Sequence, residues 1–150
     1  MKKEYLILIA LILLLSAYLL FNKENKDHFP LPAVAQISPD KVTRLEITKN
    51  ETAITLVKND NTWIISEKER PADTMAVENM LDALAAFKLS ALVSRKKDLN
   101  RYELDSEKQI HVNVFEGEPL VFEFSMGKTA PTFNHTFVMV ADDSNIYHAK

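Results

Sequence analysis

The 150 residues carry 18 Lys and Arg against 21 Asp and Glu, a formal net charge of −3, and no cysteine. That balance argues against nucleic acid as a partner, because neutralising phosphates needs a basic face. The missing thiols exclude disulfides and thiolate metal sites.

Tyr5 to Phe21 is an apolar run without a charge, and Ser16 is its most polar side chain. As a helix it reaches roughly 25 Å, slightly less than the ~30 Å hydrocarbon core of a bilayer. Lys2 and Lys3 precede it and Asn22 and Lys23 follow, placed to snorkel and cap. Tyr5 and Tyr18 sit near its ends, where amphipathic rings favour the interface. The N-terminal flank is positive, while Glu24 and Asp27 balance Lys23 and Lys26 on the far side. The N-terminus is therefore expected in the cytoplasm and everything after Phe21 outside. A cleaved secretory signal shares the basic start and apolar centre. Cleavage after Ala17 fails because Leu15 is large, and Ala33-Val34-Ala35 fits the small-residue pattern only far beyond the run. The expectation is a retained transmembrane anchor over residues 1–21, a linker over 22–40 and an extracytoplasmic domain over 41–150. About 110 residues are left for that domain, enough for one core and too few for two.

The linker is polar through His28 and then extended through Phe29-Pro30-Leu31-Pro32. Phe29, Leu31 and Val34 either float in that extended chain or dock on the domain. Strands are expected at Val42–Thr48, Ala53–Lys58 and Thr62–Ser66, from alternation such as Leu45 and Ile47 against Arg44 and Glu46. Lys49-Asn50-Glu51 and Asn59-Asp60-Asn61 are the turns between them. With 2 glycines in the chain, Asn and Asp must supply most turn chemistry. Asp73 is placed to cap one amphipathic helix, in which Val77, Met80, Leu81, Leu84 and Phe87 recur at helical spacing. That helix should cover one face of the sheet, with Ala83, Ala85 and Ala86 allowing a close approach and Trp63 packed beneath. Ser90–Ser94 is expected as a short strand, and Arg95 to Asp105 as a long connection. Ile110–Phe115 and Leu120–Phe124 form a hairpin around Glu116-Gly117-Glu118-Pro119. Met126–Thr132 reads as a loop, Phe133–Val140 as a strand, Asp142–Asn145 as a turn and Ile146–His148 as the start of a last strand. A chain that stops inside a strand is expected to be a truncated product or a shortened natural form. The fold class is α+β: one N-terminal transmembrane helix and an extracytoplasmic antiparallel sheet with one packed amphipathic helix.

Leu31-Pro32, Thr62-Trp63-Ile64-Ile65, Pro71-Ala72-Asp73, Tyr102-Glu103-Leu104-Asp105 and Asn145-Ile146-Tyr147 follow the apolar run in an order that resembles the bacterial domain of unknown function 4340 family. Glu103 stands where that family usually has glycine, and members commonly run on past this chain's end. The resemblance implies a membrane-anchored protein of the bacterial inner membrane with no assigned activity, often accompanying ABC-type transport systems related to gliding motility.

No residue is assigned a catalytic, cofactor-binding or metal-binding role. Gly127-Lys128-Thr129 resembles the end of a phosphate-binding loop, but Phe122 stands where its first glycine is needed. His111, His135 and His148 fall on expected strands and read as surface residues unless neighbouring strands align them. Asp142, Asp143 and Asn145 lack the glycine and closing Glu of a calcium loop. Glu67 with Glu69, or Glu116 with Glu118, would be the acid–base pairs of a hydrolase, and solvated turns explain them better. Arg95-Lys96-Lys97 reads as a solvated loop, or as a contact for anionic lipid. Tyr5 to Phe21 supplies a bilayer contact, and the expected function is an interaction domain within a membrane protein complex. The alternative is a ligand-binding module for a lipid, glycan or peptide, with Met80, Phe87, Phe122 and Phe137 around a cleft. An envelope hydrolase, the third choice, needs paired carboxylates or a histidine near a polar nucleophile.

Overall fold

The computed structural model describes residues 2–21, 30–96, 98–131, 134–141 and 143–150, with side chains at 5, 8, 9 and 11–18 of the first helix. The linker stretch Asn22 to Phe29 lies outside the described residues, as do Lys97 of the basic turn, Thr132, Phe133 and Asp142. The chain divides into two compact units, Met1–Pro30 and Leu31–Lys150.

The first unit holds α1 (Lys2–Phe21). Its described apolar side chains are exposed, Leu13 at 64% and Leu14 at 71%. Among the described residues no helix is long and apolar enough to cross a membrane. The expected transmembrane helix is therefore not found among them. Lys2, Lys3 and Glu4 occupy the first turn of α1, so the apolar part is the run of roughly 25 Å from Tyr5 onward.

The second unit is one antiparallel sheet with helical cover. Its strands are β1 (Arg44–Lys49), β2 (Thr52–Asn59), β3 (Thr62–Ile65), β4 (Arg70–Pro71), β5 (Leu89–Ser94), β6 (Ile110–Phe115), β7 (Leu120–Thr129), β8 (Thr136–Val140) and β9 (Ile146–Ala149). They lie in the order β4-β3-β2-β1-β6-β7-β8-β9-β5. Two meanders meet where β1 pairs with β6, and β5 crosses to the far edge beside β9. Lys88 N–H donates to the Lys150 carbonyl at 3.2 Å and Lys150 N–H returns to Lys88 at 3.0 Å, extending that edge ladder by one pair. Asn50 and Asp60 take left-handed backbone in their turns, as the shortage of glycine requires. Where β3 ends, Glu67 substitutes for the missing strand: its Oε1 accepts the Thr55 N–H at 2.7 Å.

Cross-strand partners share a face, so the register sorts the side chains. Leu45 opposite Val114 and Ile47 opposite Val112 point to one side, with Phe122 and Phe124 of β7 beside them. That side is covered by α2 (Thr74–Ala85), whose Val77, Leu81 and Leu84 are buried. Asp73 caps α2, accepting the Ala76 N–H at 3.0 Å. Trp63 of β3 is buried, and α2 contacts that strand. Ile37 is also buried, so the segment from Leu31 onward counts with this unit.

The opposite side has its own small core of Leu104, Ala130, Phe137 and Ile146, with Leu99 and Tyr102 packed on it. These last two belong to α3 (Leu99–Tyr102), a single turn inside the stretch expected to be irregular. It ends at Glu103, whose left-handed φ of 57° is the conformation for which glycine is usual.

Met126–Thr132 was expected as a loop, yet β7 continues to Thr129. Gly127 makes this continuation fit. A Cβ there would lie 2.1 Å from the Tyr102 carbonyl oxygen, a backbone atom. Gly127→Ala is expected to destabilise the domain by about 1–3 kcal/mol, the usual cost of overpacking. An unchanged urea midpoint for the purified variant would show that the strand and α3 do not approach as described.

Candidate functional site

The face beneath α2 is not fully filled. A cleft of about 310 Å³ lies between helix and sheet. The sheet contributes Leu45 and Ile47 from β1, Ile110 and Val112 from β6, and Phe124 and Met126 from β7. Met80, Ala83 and Leu84 come from α2, and Phe87 from the segment after it. None of the ten carries a polar side chain. Phe87 closes one end by packing against Phe122 and Phe124, with ring centroids 5.2 and 5.0 Å away. Ala83, the smallest lining residue, is exposed on α2.

Met80 and Phe87 line the cleft as expected, and Phe122 supports it through Phe87. Phe137 does not belong to it. Its register with His148 turns it to the opposite face, where it packs on Tyr102 at 4.8 Å. The lining residues not expected are Ala83 and Leu84 of α2, Phe124 and Met126 of β7, and Leu45, Ile47, Ile110 and Val112 of β1 and β6. Alternation marked the last four as inward-facing, but the sequence held no sign that β1 and β6 are neighbours.

The other face of β1, β6 and β7 is polar. His111 Nδ1 lies 3.1 Å from Ser125 Oγ, and its Nε2 lies 3.5 Å from Glu123 Oε1. This places a histidine beside a hydroxyl and a carboxylate. Ladder register accounts for the row: His111 is directly opposite Ser125, and Glu123 is its diagonal neighbour. Ser125 is 8% exposed, which leaves a substrate carbonyl little approach to its oxygen. Farther along the face, Asn113 donates to Glu46 Oε2 at 3.4 Å, Arg44 pairs with Glu46 at 3.4 Å and the Arg44 guanidinium lies 3.8 Å above the Phe115 ring centre. These partly exposed contacts add little stability individually.

The histidines separate into two places. His111 is on β6, whereas His135 and His148 stack with ring centres 5.5 Å apart at the β8–β9 end. Among the described residues no group of three or more His, Asp or Glu is arranged to hold a metal ion. Gly127-Lys128-Thr129 lies on β7 rather than in a loop before a helix, so it does not form a phosphate-binding loop. Asp143 is committed to its own turn: Oδ1 accepts the Asn145 N–H at 2.9 Å and Oδ2 accepts the Tyr147 hydroxyl at 2.5 Å. Burial and that carboxylate push the Tyr147 hydroxyl pKa up. Glu67 is held by Thr55, which lowers its pKa, and Glu118 is exposed in the hairpin turn.

Burial, and then the charge of His135, hold the His148 pKa below its usual 6.5. Its Nε2 is sealed from solvent without a hydrogen-bond partner. The unfolded chain therefore binds the proton more readily, and stability is expected to fall as pH drops from 6.5 through the lowered folded value. His148→Phe should flatten that acid limb. A urea midpoint that follows pH equally in both proteins between pH 7 and 5 would contradict it.

Among comparisons with known proteins, the family model described as Domain of unknown function (DUF4340) matches residues 63–150. No curated protein matches the chain, and no solved structure does.

Proposed function

The chain belongs to the DUF4340 family, and from that premise we propose that it is a membrane-anchored interaction domain working outside the cytoplasm, an accessory or assembly component of an envelope or ABC-transporter-associated complex. The observation that carries the anchor is α1. Leu11, Ile12, Leu13, Leu14 and Leu15 are consecutive and all exposed, so apolar surface faces every side of the helix. A helix of that kind is stable only within a protein core or in lipid. Its apolar part is a few ångströms short of a bilayer core, a mismatch that flanking lysines and local thinning absorb at modest cost. Lys2 and Lys3 set the N-terminus in the cytoplasm, which leaves the sheet domain on the outer side of a bacterial inner membrane. The role proposed is assembly rather than catalysis. In alkaline carbonate the full chain is expected to stay with the membrane pellet, and after extraction in mild detergent it should retain a membrane protein partner through washing. Release by carbonate would remove the anchor, and recovery of the chain alone would remove the assembly role.

A second function, ligand binding, is favoured by one observation: the space between α2 and the sheet is not occupied by side chains. At about 310 Å³ it falls at the lower end of small-molecule sites.

A further inference from the structure

We propose that the cleft between α2 and strands β1, β6 and β7 binds a single unbranched alkyl chain with an anionic head group, the chemistry shared by fatty acids and lysophospholipids. This rests on the second reading above, that the cleft holds a ligand, and names its class.

The lining chemistry selects among the candidates. Sugar hydroxyls and peptide amides lose hydrogen bonds to water when they enter a site, and each must find a partner there. The ten lining side chains offer none. An alkyl chain has no such requirement. The size agrees. A methylene is close to a water molecule in volume, whose share of liquid is about 30 Å³, so a cleft of about 310 Å³ takes on the order of ten of them. Met80 and Met126 are unbranched and adapt to a chain with many rotamers. A cation stands beside this lining. Lys49 is the ladder partner of Ile110, so it shares the face of the cleft at the end of β1. It is exposed there, within reach of a carboxylate or phosphate whose tail lies against Ile110.

The chain has no cysteine, so Ala83→Cys introduces one reporter thiol on the cleft wall. The full chain carrying it is reconstituted in phosphatidylcholine nanodiscs, and labelling by a water-soluble maleimide is timed. Dodecanoate is expected to slow labelling at least tenfold and butyrate to leave it unchanged. From octanoate to dodecanoate, the half-protecting concentration should fall about fourfold per methylene, the ratio that about 0.8 kcal/mol per buried CH₂ implies. Lys49→Glu should raise that concentration about tenfold for dodecanoate and leave dodecanol unchanged. A parallel arm with lysophosphatidylglycerol separates the two sources of the chemistry, since protection stronger than by dodecanoate assigns the phospholipid. The exposed Lys68→Cys variant serves as the control, and equal slowing at both thiols would overturn the proposal. So would protection by an apolar peptide but by no alkyl compound, which leaves the cleft a ligand site of another class. If neither protects, the ligand-binding function falls with it.

Discussion

Pairing of β1 with β6 is the interaction on which the domain depends. Six residue pairs, from Arg44↔Phe115 to Lys49↔Ile110, join a meander near the start of the domain to one near its end. The closed loop is more than sixty residues long, so its entropy must be met before the paired strands stabilise anything. Once formed, the ladder sets both faces of the sheet centre. It places Leu45 and Ile47 beside Val114 and Val112 as the platform for α2, and it places Glu46 beside Asn113 on the other side.

Much of the fold was legible because local pattern and final structure agree. Ile110, Val112 and Val114 alternate and do face one side, Asp73 precedes a helical period and does cap it, and Asn50 and Asp60 occupy turns that need left-handed backbone. The failures have a common cause. Gly127-Lys128-Thr129 looks like loop sequence, because glycine usually breaks a strand. Here it is retained in β7 by the carbonyl of Tyr102, a residue distant in sequence. Register shifts in β7 and β5 disturb simple alternation at the sheet's far end. Phe137 of β8 faces away from the cleft through its regular pairing with His148, a partner that its local alternation does not reveal.

The candidate site divides the same way. Met80 and Phe87 were readable from the period of one helix. The wall opposite them is assembled from three strands, two adjacent in sequence and one from the other meander. No local pattern states that adjacency. Ala83 was readable as a small residue on the helix, but not that it would border an open space rather than a close helix–sheet contact. Composition alone separates the two faces of the sheet centre: hydrocarbon towards α2, and the His111, Ser125 and Glu123 row outward.

The backbone exchange between Lys88 and Lys150 gives the last strand a second office. Lys88 immediately follows Phe87, the ring that closes one end of the cleft. Lys150, one residue beyond β9, thus ties down the exit of α2 by direct backbone bonds to Lys88. Peeling the sheet from its β5 edge inward would break the Lys88–Lys150 pair before the β1–β6 ladder, so the two ends of the cleft are held by different parts of one sheet.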